Sequence, residues 1–103
     1  MTDRFRSALS MAAKAGKVAS GETGAENAIK SGKAVFCIIA EDATDNTKKK
    51  FKNMCINRKT DWCIYSDRAS IGGAIGREFR SVAVITDNNL AQLVRAKIEE
   101  ERA

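Results

Sequence analysis

The chain has 103 residues, 44% of them hydrophobic, with 18 Lys+Arg against 13 Asp+Glu, three Cys, no His and no Pro. This is one domain's worth of chain, read as a single unit over 1–103. It can bury roughly 65% of the surface it would expose unfolded, and it is too apolar for disorder. The formal charge of +5 and pI near 9.3 suit nucleic acid or an acidic surface as partner, while the missing His removes the commonest general base and metal ligand.

The longest apolar run, residues 34–40, is far short of the ~20 needed to cross a bilayer. Asp3, Arg4, Arg6, Lys14 and Lys17 interrupt any leader-like apolar stretch. With an odd number of Cys and no CxxC pair, the expected location is the reducing cytoplasm.

Taken in chain order, residues 3–15 space Phe5, Leu9 and Ala12 as one helix face, with Gly16 placed to close it. Residues 17–19 can form a short strand. A second helix over 22–31 carries Ala25, Ala28 and Ile29 on one face and ends at Gly32. Residues 34–40 read as a strand buried on both faces. Residues 45–58 form a third helix through Phe51, Met54 and Cys55, and 62–65 a strand of high β-propensity. A short helix over 67–75 turns Ile71 and Ile75 inward, and 81–86 is another buried strand. Asp87 can cap a last helix carrying Leu90, Leu93, Val94 and Ile98. Helix and strand alternate throughout, which predicts an α/β sandwich with helices on both faces of one sheet. Periodicity alone favours a mainly parallel sheet, because a helix lies in each crossover. Function is then expected on the loops at strand ends.

Several residues could carry chemistry. Cys37, Cys55 and Cys63 all sit in apolar patterns and read as small buried hydrophobes. No His is present to activate a thiol. The glycines fit neither a dinucleotide nor a P-loop fingerprint. Gly32 and Gly76 read as helix terminators. Gly21, between a strand and a helix, could leave backbone N–H groups open to an anion. Glu41 and Asp42 after the buried strand could bind Mg²⁺ or move protons; without a second acidic cluster, solvating the loop and capping the next helix is the favoured role.

The basic residues cluster. Residues 1–80 hold 15 Lys+Arg against 9 Asp+Glu, and residues 81–103 hold 3 against 4. Lys48, Lys49 and Lys50 are expected near the first turn of the third helix, where each cation opposes the helix dipole by about 0.3–1 kcal/mol. At about 100° per residue Lys49 faces away from the core and Lys50 lies near its edge. Such lysines are either a solvated face or phosphate contacts that read no sequence. In Gly76-Arg77-Glu78-Phe79-Arg80, Phe79 is either core or a ring on which an unpaired base could stack.

Four segments together resemble a known family: Ala28-Ile29-Lys30-Ser31-Gly32-Lys33-Ala34, Ile38-Ile39-Ala40-Glu41-Asp42-Ala43, Ile71-Gly72-Gly73-Ala74-Ile75-Gly76, and Ser81-Val82-Ala83-Val84-Ile85-Thr86-Asp87. In order and spacing they resemble the L7Ae/L30e ribosomal proteins, and most of all their small bacterial YlxQ-like branch. The resemblance covers roughly residues 5–98.

It implies a three-layer α-β-α sandwich around a mixed four-stranded sheet, in place of a parallel one. It also implies a non-enzymatic binder of structured, kink-turn RNA, with ribosomal RNA among the candidates and no cofactor, metal or membrane. The family's Gly-x-Asn-Glu-x-x-Lys pattern at the start of the second helix falls on Gly21, Thr23, Gly24 and Asn27, so only the glycine matches in type. Glu22 lies beside the lost acidic position. Arg68 falls where the family has a Lys, and Arg77, Phe79 and Arg80 fall on the loop that covers the bulged nucleotide. The implied interface is Gly21, Glu22, Thr23, Gly24, Asn27, Lys30, Lys33, Glu41, Asp42, Arg68, Arg77, Phe79 and Arg80. A protein-interaction module on the same fold is the alternative, and an enzyme built on Glu41, Asp42 and the thiols a distant third.

Overall fold

A computed structural model describes residues 4–103. Asp3, placed in the first helix by periodicity, lies outside the described residues. The elements run α1 (Arg4–Lys14), β1 (Val18–Ser20), α2 (Gly21–Lys30), β2 (Phe36–Ile39), α3 (Asp45–Asn57), β3 (Asp61–Ile64), α4 (Arg68–Ala74), β4 (Val82–Ile85) and α5 (Asn88–Arg102). Each expected helix and strand is present. Thr44, Asp67 and Asp87 cap α3, α4 and α5, each side chain accepting a backbone N–H three residues on.

Four helices close in the same way. The residue in the left-handed position is Gly16 after α1, Gly32 after α2, Lys59 after α3 and Gly76 after α4, with φ of +74°, +80°, +56° and +79°. Behind each, the next residue's N–H bonds back five residues: Lys17 to Ala12, Lys33 to Ala28, Thr60 to Cys55 and Arg77 to Gly72. These are Schellman closures.

The strands lie in the order β1-β4-β2-β3. β2 and β3 are parallel, with Phe36 opposite Asp61, whereas β4 runs antiparallel to both β1 and β2. The mixed sheet corrects the mainly parallel arrangement that periodicity suggests. The cause lies in the connection from β3 to β4. α4 has only seven residues, and the chain then turns back so that the Arg80 N–H bonds the Arg68 carbonyl at 3.1 Å. The excursion therefore ends where it began, and β4 enters the sheet from the end at which β3 left it.

α2 packs on β1 and β4 and α3 on β2 and β3, while α1, α4 and α5 pack together with α4 and α5 on β4. All four residues of both β2 and β4 are buried, as a sheet covered on two faces requires. Phe5, Leu9, Ile29, Phe51, Ile71, Val94 and Ile98 close the core from the helices. Phe79, which could have been core, is 57% exposed. No helix among the described residues is long and apolar enough to cross a membrane.

Candidate functional site

The antiparallel entry of β4 brings four loop segments to one end of the sheet: the start of α2, the turn after β2, the start of α4 and the loop before β4. Gly21 opens α2 with φ +77°, and the Arg80 side chain lies across it. A Cβ built on Gly21 would sit 3.8 Å from Arg80 Nε. Arg80 Nη1 donates to the carbonyl of Phe79 at 2.8 Å, while its buried Nε has no partner among the described residues. The Arg68 guanidinium lies over the exposed Phe79 ring, 5.8 Å from its centroid.

Arg68 is held in turn by Asp42. Its backbone N–H donates to Asp42 Oδ1 at 2.9 Å, and its Nε lies 3.4 Å from Oδ2. That backbone N–H, with the guanidinium beside it, lowers the Asp42 carboxyl below the usual carboxylate range. Asp42 thus supports the start of α4, while Thr44 caps the next helix, α3. The expectation that the acidic pair serves the following helix is corrected here, because 26 residues of chain fold back to bring Arg68 alongside. Glu41 is exposed, and its N–H donates to the carbonyl of Ser66.

Gly21, Arg80, Phe79, Arg68, Asp42 and Glu41 therefore form one continuous edge. Arg77 is exposed in the same loop and belongs to no ion pair among the described residues. Thr23 and Asn27 are exposed on α2 and Gly24 is half-buried. Glu22 turns toward α3, where Thr47 Oγ1 donates to it at 3.4 Å and Lys50 Nζ lies 4.0 Å away. Lys30 pairs with Glu26 at 2.6 Å, and Lys33 follows α2 at the far end of the sheet, away from the others.

Two organising residues escaped the sequence reading. Glu26 takes both Lys30 and Lys50, the latter at 2.9 Å, and these ammonium groups hold its carboxyl at about 2. The Glu26–Lys30 spacing of four was a local signal for this; the Lys50 contact had none. Gly72 is the other. A Cβ there would lie 2.6 Å from the Glu78 carbonyl oxygen, so the loop carrying Phe79 and Arg80 packs directly on α4. In the lysine run, α3 starts at Asp45, so Lys48 completes the first turn and Lys49 and Lys50 lie in the second.

Two of the three thiols are buried as the apolar pattern suggests, and Cys63 is only half-buried. Cys37 and Cys55 are buried, and contact between them together with burial pushes the Cys37 thiol up. Burial raises Cys63 to about 11. No group of three or more carboxylates or thiols placed to hold a metal occurs among the described residues.

Two curated relatives named RNA-binding protein YlxQ are similar to this chain. The one from Bacillus subtilis (strain 168) is 36% identical over 83 residues, covering 81% of this chain and 83% of the relative. The one from Enterococcus faecium is 33% identical over 91 residues, covering 88% and 87%. Among solved structures, a protein of unknown function from Bacillus halodurans C superposes with a TM-score of 0.89 at 28% identity, over 95% of this chain and 99% of that one. A Giardia lamblia 15.5kD RNA binding protein has the same fold, with a TM-score of 0.77 at 20% identity over 94% and 83%. Residues 3–94 match a single family along nearly their whole course, and the chain belongs to the Ribosomal protein L7Ae/L30e/S12e/Gadd45 family.

Proposed function

We propose that the chain is a cytoplasmic, non-enzymatic RNA-binding protein of one domain, and that its ligand is a kink-turn type of structured RNA. The interface consists of Gly21, Glu22, Thr23, Gly24 and Asn27 at the start of α2, Glu41 and Asp42 after β2, Arg68, and Arg77, Phe79 and Arg80 before β4. Lys30 and Lys33 extend it. The observation that carries this reading is the junction of Arg80 with Gly21: the start of α2 and the loop before β4 meet on one edge, with an arginine laid over a glycine.

Each group has a fitting role. The exposed face of Phe79 suits stacking on an unpaired base. Arg68, held over that ring by Asp42, suits a phosphate beside it. Arg77 and Arg80 add charge without reading sequence. Thr23 and Asn27 supply hydrogen-bond donors and acceptors where the family has its asparagine and lysine, while Gly24 has lost the acidic side chain. The relatives named as RNA-binding proteins support the class of ligand.

The test compares one kink-turn RNA with a partner in which the G·A pairs become Watson–Crick pairs, at two salt concentrations. Tighter binding to the kink-turn at both, with affinity falling steeply as salt rises, is expected. Equal binding to the two RNAs overturns kink-turn recognition and leaves a general RNA binder. No binding beyond that of a lysine-matched control protein would instead favour a protein-interaction module, the reading that the altered Thr23, Gly24 and Asn27 positions suggest.

A further inference from the structure

We propose that Lys33, Arg58 and Lys59, at the opposite end of the sheet from Gly21 and Arg80, hold phosphates of a duplex stem leading away from the kink along the α2–α3 layer. This rests on the RNA reading above and extends it to a second contact.

The first observation is conformational. Four helices end in the same Schellman closure, and three place glycine in the left-handed position; α3 alone places a lysine there, at φ +56°. Glycine adopts that conformation without strain, whereas a side chain with a Cβ resists it. A lysine wanted only to complement the α3 dipole could occupy the last turn with ordinary dihedrals. Position 59 therefore keeps a cation at a conformational cost that the same chain avoids at Gly16, Gly32 and Gly76.

The second observation is placement. Lys33 and Lys59 precede β2 and β3, which are neighbouring parallel strands with Phe36 opposite Asp61, so both emerge at one end. Arg58 is tied beside them, its Nη1 donating to the Lys30 carbonyl at 3.1 Å, which links the ends of α2 and α3. All three side chains are exposed, and none belongs to an ion pair among the described residues. The neighbouring carboxylates are engaged elsewhere. Asp61 takes Arg95 at 2.6 Å, and Glu26 takes Lys30 and Lys50.

The third is reach. α2 has ten residues, about 15 Å at the rise of a helix, so the two ends lie along one face at a spacing that a continuing duplex can follow. Three clustered cations without a base-reading side chain suit phosphates, whose contacts position RNA but do not specify its sequence.

The experiment measures affinity against salt for the kink-turn RNA with a long stem and with that stem cut short. The proteins are wild type, Lys59→Gly, and the double variant Arg58→Gln, Lys59→Gly, which leaves Lys33 in place. With the long stem, the slope of log affinity on log salt should become shallower by about 0.7–0.9 for each phosphate that is no longer neutralised, about 1.5 for the double variant. The short stem should abolish the difference, and the preference over the G·A-disrupted RNA should not change. Lys59→Gly alone should raise the melting temperature while flattening the slope, a combination that a purely structural residue does not produce. An unchanged slope in variants that melt at or above the wild-type temperature overturns the proposal, as does an effect independent of stem length. If wild type fails to prefer the kink-turn yet the stem-dependent slope change persists, the kink-turn reading falls and the distal contact stands.

Discussion

At the scale of single residues, the loop that carries Phe79 and Arg80 depends on one hydrogen atom. A Cβ on Gly72 would meet the Glu78 carbonyl oxygen at 2.6 Å, its carbon at 2.8 Å and the Phe79 nitrogen at 2.9 Å, all of them backbone. None of these atoms can rotate aside. Gly72→Ala should therefore cost about 1–3 kcal/mol by overpacking, and it should weaken RNA binding because the 77–80 loop must move. The next residue is a built-in control. At Gly73 the nearest atom to a Cβ is the tip of Arg6, at 3.2 Å, so Gly73→Ala should be milder. Thermal melts of the two variants, with RNA titrations, check both statements. The sequence marked these glycines only as part of a motif. Which of them faces the loop is decided by how α4 sits. Phe79 is similar: flanking arginines and aromaticity are legible, but the pattern leans toward a core ring, and only the fold shows it exposed beneath Arg68.

At the scale of elements, local signals were read well and distant ones were not. Asp87 caps α5 by accepting the Leu90 N–H at 2.9 Å, three residues away, and such a cap is visible in a short window. Asp42 instead supports α4 across 26 residues, and no window reaches that far. Between α2 and α3 the organising group is Glu26, bridging Lys30 of its own helix and Lys50 of the next. Its carboxyl lies at about 2 in the folded chain against an ordinary 4.5. A lowered folded value means that the contribution is fully present above about pH 4.5 and is lost as pH falls toward 2. Glu26 is half-buried at the surface beside two exposed lysines, so the effect is modest and screened by salt. The melting temperatures of wild type and Glu26→Gln should differ above pH 4.5 and converge by pH 2, measured at low ionic strength. A difference that persists unchanged at pH 2 would mean that the carboxylate charge is not the cause.

At the scale of the whole molecule, the decisive feature is β4. It was expected as a buried strand, and it is one, but it inserts antiparallel between β1 and β2. Its insertion makes β2 and β4 the central strands, with every residue of both buried. Their amides should be the slowest to exchange with solvent, opening only with global unfolding, while in the loop before β4 the exposed Glu78 and Phe79 amides exchange fast and the Arg77 and Arg80 amides, bonded to the Gly72 and Arg68 carbonyls, lie between. Native-state hydrogen exchange on the free protein reads this directly. Faster exchange in β4 than in the edge strand β3 would contradict the strand order. The same insertion gathers the ends of β1, β2 and β3 and the entry of β4 at one end of the sheet, and this is why residues from four parts of the chain form one edge there.

From the sequence alone came the nine elements, most of their buried positions, the three helix-closing glycines, the burial of Cys37 and Cys55 and, through resemblance, the family and its mixed sheet. These depend on short-range periodicity, on backbone conformations that particular residues favour, and on motifs held in order. Tertiary structure decided what lies beside what: Arg80 over Gly21, Arg68 between Asp42 and Phe79, and Lys59 with Arg58 and Lys33 at the far end. Each of these joins segments far apart in the chain, and a one-dimensional pattern carries no record of the distance between them. The charge of +5 was apparent from composition; the placement of Arg68, Arg77 and Arg80 at one end of the sheet and of Lys33, Arg58 and Lys59 at the other required the fold.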